Sequence, residues 1–530
     1  MASRSTDEHS RATAARISFW ALFILLIIAA TLVRVVHLGE FPPQLHNDEA
    51  SSMTDGVAHF IRSPGGWALW GSGFGGHPSL SYWISAIPSR LTGETTLRSL
   101  RMGAAISGTL SLVLFALFVA KALGRRTAIY FLIFAIPFHL HVHFSRTGFP
   151  YVHALLLFGA ISLAFINYLQ APRAKTALIL GITLGLGALV YPATHVLPFC
   201  IIAAVVVGKP THTKQTSKRL KEGAKLLAGV LGGLLLTLTP QIIYSIIYGY
   251  SSRLSSTLVF HPHNLKHLAP QTGIPEATIA DIVWFNFLRT LKLFYSYDEA
   301  EQYRFIEAPL GIVIGGLAAL GALILLWRTL KRDTIATYVL AIAASTIIAS
   351  ALMVEGPFSP HLILFALLIP LSCAVAWERI LSFVRCDHVA LSSLATIAIL
   401  AFWTDWNWKF YNRVVDPYRS RIFNAETWLV HLPVERDGVR HLLNLTPQAL
   451  SFGESYYDLP YPNASKSRIE PGSVPKLLDY ISHNQCPCVV VLEKGMIKDA
   501  VSKLTAAPRT VVVFDDPRKS LGFLYVTDAT

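Results

Sequence analysis

Charge is scarce in this sequence, and acidic charge is scarcer than basic. Only 15% of its 530 residues are Asp, Glu, Lys or Arg, 53% are hydrophobic, and mean hydropathy is +0.47. An ordinary soluble domain carries about a quarter charged residues, so that class is excluded. Cysteine is nearly missing: with 5 in all, and Cys200, Cys373 and Cys386 in or beside apolar runs, there is no disulfide framework. Cys486 and Cys488, in "CPCVVV", sit too close to pair readily, and buried thiols are expected there. No internal repeat is visible, which removes the usual mark of a transporter built from inverted halves.

What is present is a series of long apolar runs. A bilayer core of about 30 Å takes about 20 apolar residues per helix, and about eleven stretches qualify. They lie near residues 17–38, 98–120, 127–142, 152–169, 175–191, 194–208, 225–248, 309–327, 334–354, 361–377 and 388–404. The expected architecture is therefore an all-α polytopic membrane protein with about eleven transmembrane helices. The first run is long enough to span and leads straight into more spans, so it reads as an uncleaved anchor.

A net charge of +13 invites a nucleic-acid reading. The distribution argues otherwise. "KALGRR", "APRAK", "GKPTHTKQTSKRLKEGAK" and "WRTLKRD" fall on alternate connections, as the positive-inside rule requires of cytoplasmic loops. The surplus is topological, and no nucleic acid is expected as a partner. Residues 1–16 are then cytoplasmic, residues 17–404 form the membrane domain, and residues 405–530 lie outside. The cytoplasmic connections are too short for a catalytic domain. Two long outer loops, about 39–97 and 249–308, are where function is expected.

The tail, 405–530, alternates helix and strand patterns: "SVPKLLDYISHN" and "MIKDAVSKLTAA" as helices, "CVVVLE", "TVVVFDD" and "GFLYVT" as strands. That implies an extracytoplasmic α/β domain. It has no glycine-rich phosphate loop or catalytic constellation, so a supporting or acceptor-contacting role is expected. Asn444-Leu-Thr and Asn463-Ala-Ser match a glycosylation sequon, a pattern common by chance.

In the first outer loop, "QLHNDEAS" follows the helix-breaking pair Pro42-Pro43 and carries two adjacent carboxylates, Asp48 and Glu49. Asn47 is a natural N-cap, and Asp48, Ser52, Asp55 and His59 are spaced to share one helical face. Acidic residues in a first turn are also stabilised by the helix dipole, by about 0.3–1 kcal/mol, without any chemistry.

The order "NDEA", then "GHPSLSYW", then "LRSLRMGAAISG" resembles the GT-C glycosyltransferases of the protein O-mannosyltransferase and lipid A aminoarabinose transferase type. "FSRTGFPYVHALLLF", "GITLGLGALVYPATHVLPF" and "FSPHLILFALLIPL" fall where that superfamily has later spans, so the resemblance covers roughly 17–400. It implies the GT-C fold, a polyprenyl-phosphate-linked sugar as donor, and inversion at the anomeric carbon. An acidic residue of the first outer loop is essential in that family. Asp48 holds the matching position, with Glu49 beside it as the second candidate catalytic carboxylate. An ionised carboxylate near the acceptor hydroxyl can take its proton, a contribution of about 10²–10⁴.

The departing phosphate needs cations, and the sequence offers Arg101, Arg146, His77 and Arg304. Arginine suits a phosphate through its bidentate fork. Arg101 and Arg146 match basic positions of the family, whereas His77 stands where the lipid A enzymes carry Lys. No second acidic residue follows Arg146, a further departure. Arg304, with Tyr295 and Tyr297 in "FYSYDEAEQYRF", could flap over the phosphate. Arg34, Arg289 and Lys292 also sit outside or near an outer span end, where retention disfavours cations. Asp55, Tyr82 and Trp83 are candidates for sugar or acceptor contacts. No cofactor is required by this reading, although Asp48 or Asp55 with His59, His139 and His143 would suit a divalent metal.

Two other classes fit the composition: a transporter or flippase, and a non-catalytic protein that binds polyprenyl-phosphate lipids. The clustering of ionisable residues at the outer boundary favours the transferase over the transporter. The short cytoplasmic loops and the lone tail suit a bacterial inner membrane.

Overall fold

The computed structural model describes residues 2–39, 42, 49, 80–93, 97–149, 151–208, 216–248, 258–260, 264–265, 268–274, 277–292, 294, 311–353, 359–383, 389–415, 441–444, 465–468, 473–484, 487–506, 509–515 and 521–528. Asp48, Asp55, His59, His77, Tyr295, Tyr297, Arg304, Cys386 and Cys486 lie outside them. The membrane part comprises α1 (Ala2–Val35), α2 (Leu80–Thr92), α3 (Leu97–Ala122), α4 (Arg125–Ala135), α5 (His139–Arg146), α6 (Tyr151–Gln170), α7 (Ala174–Ala188), α8 (Leu197–Val207), α9 (Thr216–Tyr248), α10 (Ile279–Lys292), α11 (Gly311–Leu330), α12 (Thr334–Ala351), α13 (Phe365–Phe383) and α14 (Val389–Val415).

Among the described residues, each apolar stretch marked in the sequence contains helix, but the stretches are not equivalent. Among the described residues, 7 helices are long and apolar enough to cross a membrane, or 8 if the bent pair α4–α5 is one span. Helix α7 and the segment Pro192–Val207 are apolar but short. Seven or eight of the described helices thus meet the requirement by length and composition, beside the eleven spans expected. Large apolar side chains such as Leu25, Ile28, Leu235, Leu236, Ile246 and Leu323 are exposed on the outside of the bundle. That arrangement is stable only where the surrounding medium is hydrocarbon.

The interior is aromatic. Phe115, Phe118, Phe131, Phe134, Phe138, Phe144, Phe158 and Phe165 are buried in one cluster spanning α3, α4, α5, α6 and α13. Ring pairs such as Phe115–Phe158, 5.0 Å between centroids, fix its geometry. Where backbones must approach more closely, glycine stands: a Cβ at Gly103 of α3 would lie 2.7 Å from the Ser85 Cα of α2.

The 68° bend between α4 and α5 has a chemical cause. Pro137 has no N–H to give the Ile133 carbonyl, and the Phe138 N–H turns to the Ala135 carbonyl at 3.4 Å, so the Phe134 carbonyl loses its ordinary partner. Trp403 of α14 donates its indole N–H to that Phe134 carbonyl at 2.8 Å and stacks on Phe138. Four residues on, Asn407 accepts the His139 backbone N–H at 2.9 Å, capping the start of α5. Helix α14 thereby satisfies both broken ends inside the bundle.

The C-terminal stretch adds β1 (His441–Asn444), β2 (Ser465–Arg468), α15 (Val474–His483), β3 (Cys488–Glu493), α16 (Ile497–Thr505), β4 (Arg509–Asp515) and β5 (Leu521–Asp528). The strands form one sheet, order β2-β1-β3-β5-β4, parallel from β2 to β3 and antiparallel beyond. Its core joins Val490, Leu492, Leu524 and Val526 to Leu477 and Ile481 of α15 and Ala500 and Leu504 of α16. Cys488 is disulfide-bonded, which corrects the expectation of a buried thiol; Cys200 and Cys373 are buried and free.

Candidate functional site

Helix α1 ends just before His37, which is left-handed at φ 52, and Leu38 and Pro42 follow it in the chain. The last carbonyls of a helix have no internal partner. Here arginines from two neighbouring helices supply them. Arg146, at the end of α5, donates to the Val33 and Val36 carbonyls at 2.6 and 2.7 Å, where its charge also complements the negative end of the α1 dipole. Arg101, in the first turns of α3, donates to the Pro42 carbonyl at 2.8 Å and the Leu38 carbonyl at 3.4 Å.

Arg101 also holds Glu49. Its Nε and Nη2 donate to the two carboxylate oxygens of Glu49 at 2.7 and 3.1 Å, the bidentate geometry that only arginine offers. The Gly148 backbone N–H donates to Glu49 Oε1 at 2.6 Å. Both side chains of the ion pair are 0% exposed. One buried pair therefore joins residue 49 to the start of α3 and to the residues just after α5. The sequence suggested Arg101 as a phosphate ligand and Glu49 as a catalytic carboxylate; the structure turns these two groups toward each other.

A second buried network lies just below. The Arg34 guanidinium, fully buried, donates to the Ala30 carbonyl at 2.8 Å and to His141 Nδ1 at 2.9 Å, while its Nε has no partner. Because arginine only donates, His141 Nδ1 is an acceptor and its Nε2 carries the proton toward Ser111 Oγ, 3.0 Å away. Ser111 passes its own proton to the Gly108 carbonyl at 2.7 Å. His153 forms a third link, 2.8 Å from both Ser85 of α2 and Ser107 of α3. These contacts seat α2, which carries Tyr82 and Trp83, against α3 and α6. Tyr82 is buried and Trp83 half-buried.

His139 and His143, the described members of the suggested metal set, go separate ways. His139 Nδ1 lies 2.8 Å from Asn407 Oδ1, and His143 packs edge-on against Phe144 and near Phe149. Among the described residues, no three His, Cys, Asp or Glu side chains are grouped to hold a metal ion. His141, which sequence reasoning passed over in "HLHVH", is the histidine that matters to the buried network. The signal was available: a cation inside a span needs a partner, and Arg34 has one.

The spans define a multi-pass membrane protein, and its fold is similar to that of solved polytopic membrane proteins. Residues 76–244, under half of the chain, match the family described as dolichyl-phosphate-mannose-protein mannosyltransferase. The chain is similar to ArnT from Cupriavidus metallidurans bound to undecaprenyl phosphate, at TM-score 0.55 and 12% identity, covering 95% of this chain and 97% of that one. The apo form of the same enzyme gives TM-score 0.54 at 12% identity, with 97% and 98% covered. The oligosaccharyltransferase AglB from Archaeoglobus fulgidus, in complex with an inhibitory peptide and a dolichol-phosphate, follows at 0.49 and 12%, with 96% and 74% covered. No curated protein matches by sequence.

Proposed function

We propose that this protein is an inverting glycosyltransferase that moves a sugar from a polyprenyl-phosphate donor to an acceptor at the outer face of the membrane. The observation that carries the reading is the buried Glu49 clamp: three donors from α3 and the end of α5 fix residue 49, and Asp48 is its covalent neighbour. In this reading Glu49, whose oxygens are already engaged, is a positioning residue, and Asp48 is the base. The acceptor hydroxyl oxygen attacks the anomeric carbon as its proton passes to the Asp48 carboxylate. The bond from that carbon to the phosphate oxygen breaks, and polyprenyl phosphate leaves with the electron pair.

Arg146, His77 and Arg304 are assigned to the leaving phosphate, and Asp55, Tyr82 and Trp83 to the sugar or acceptor. The match to the mannosyltransferase family and the similarity to ArnT support a lipid-phosphate donor. The surroundings are assigned as a bacterial inner membrane, with residues 1–16 cytoplasmic and residues 405–530 an extracytoplasmic domain in a supporting role.

Vesicles holding the protein and a polyprenyl-phosphate sugar labelled in both parts test this reading. The expected result is free polyprenyl phosphate together with sugar bound to acceptor from a membrane extract. Movement of the intact lipid between leaflets, with no cleavage, would make the protein a flippase instead.

A further inference from the structure

Helix α10 (Ile279–Lys292) is built the wrong way round for a helix in water. The face it packs on α12 holds Asn286 and Thr290 together with Ile282, all buried, whereas Trp284 is 60% and Leu288 47% exposed. The buried polar groups are matched: Asn286 donates to the Ala351 and Met353 carbonyls at 3.3 and 3.1 Å, and Thr290 meets Ser350 at 3.4 Å. Those contacts fall at the C-terminal end of α12, a span of 18 residues and thus about 27 Å long. The opposite end of α12 begins beside Arg328, Lys331 and Arg332, which the positive-inside rule assigns to the cytoplasm. Helix α10 therefore sits at the outer hydrocarbon boundary.

At about 100° per residue, Trp284 and Leu288 share the outward face, Asp281 and Lys292 lie within about 40° of Leu288, and Arg289 lies about 60° further round with its guanidinium 5.5 Å from the Phe285 ring. Phe260 and Ile274, exposed on the loop that packs with α10 through Val259 and Leu268, extend the apolar surface. An apolar face bordered by charged side chains, here Lys292, Arg289 and Asp281, is the pattern of a helix lying in a membrane interface.

We infer that α10 lies in the outer leaflet, with Trp284 and Leu288 among the acyl chains and Arg289 and Lys292 at the phosphates of anionic lipids. The inference rests on the outward orientation proposed above but not on the transfer reaction. Leu288→Cys and Arg289→Cys are labelled with an environment-sensitive fluorophore in the full chain, one copy per lipid nanodisc, with the parent protein's labelling subtracted. A quencher on the acyl chain near the headgroup is expected to quench position 288 severalfold more than 289, about 100° away around the helix. Equal quenching, or protection of 288 by a second copy in membranes at higher protein density and none in single-copy discs, overturns the assignment. Energy transfer from position 288 to labelled phosphatidylglycerol is then compared with transfer to labelled phosphatidylcholine. Each cation near an anionic surface changes partitioning by about fivefold, so the preference should fall toward one in Arg289→Gln/Lys292→Gln. An unchanged preference would remove the anionic-lipid part.

Discussion

Replacing Glu49 with Gln keeps its shape and removes its charge, leaving the Arg101 guanidinium buried without a counter-ion. Both side chains are fully buried, so solvent does not screen the loss. Breaking one side of a buried pair costs about 3–5 kcal/mol. The amide retains one oxygen, which cannot serve Arg101 Nε, Arg101 Nη2 and the Gly148 N–H together, and its NH2 faces guanidinium donors. We expect about 3 kcal/mol, the lower end of that range. Arg101→Met should cost about the same, and the double variant should lose less than the sum of the singles by about 1–3 kcal/mol. Function separates positioning from mere stability. A displacement of about 1 Å near the chemistry costs about 10²-fold in rate, so the double variant should remain slow even at temperatures where it is folded. Unfolding in detergent, followed by tryptophan fluorescence, and transfer of labelled sugar are measured on the same preparations. If Glu49→Gln unfolds within 1 kcal/mol of the parent and transfers at the parental rate, the clamp reasoning is wrong.

Gly103→Ala should destabilise by about 1–3 kcal/mol, because the new methyl meets backbone of α2 rather than a flexible side chain; an unchanged unfolding midpoint would contradict the packing. His141→Phe removes one of the two acceptors of the Arg34 guanidinium and should cost about 1.5–3 kcal/mol, with His141→Gln recovering part of it through its amide oxygen. Asp333 caps α12 by accepting from the Ile335 and Ala336 N–H groups, so Asp333→Ala should cost about 1 kcal/mol and Asp333→Asn almost nothing. Its partly exposed pair with Arg328 adds little to that figure.

Much of the membrane part was legible because hydrocarbon imposes a simple rule on sequence: a spanning helix is a long apolar run. The rule does not by itself fix how many of the runs cross. Helix α7 and the segment Pro192–Val207 are apolar yet short, and the run near 127–142 breaks at Pro137, whose consequence depends on Trp403 and Asn407 some 270 residues away. In the tail, the valine-rich strands β3 and β4 and the apolar β5 announced themselves, whereas "HLLN" and "SKSR" have no strand pattern and become β1 and β2 by pairing beside β3. At the site, Asp48-Glu49, Arg101 and Arg146 were recognisable as out-of-place charges. Their partners were not, since the Glu49–Arg101 pair joins residues 52 apart and Arg34 finds His141 across 107. Local pattern marks a charge as costly but does not say which other group relieves the cost.

The central claim, that the carboxylate of Asp48 takes the acceptor proton as polyprenyl phosphate departs, is tested most directly by the rate of polyprenyl-phosphate release from labelled donor in the presence of acceptor, Asp48→Asn beside the parent. The account predicts a loss of about 10²–10⁴ with donor binding retained. Release by Asp48→Asn at the parental rate would contradict it.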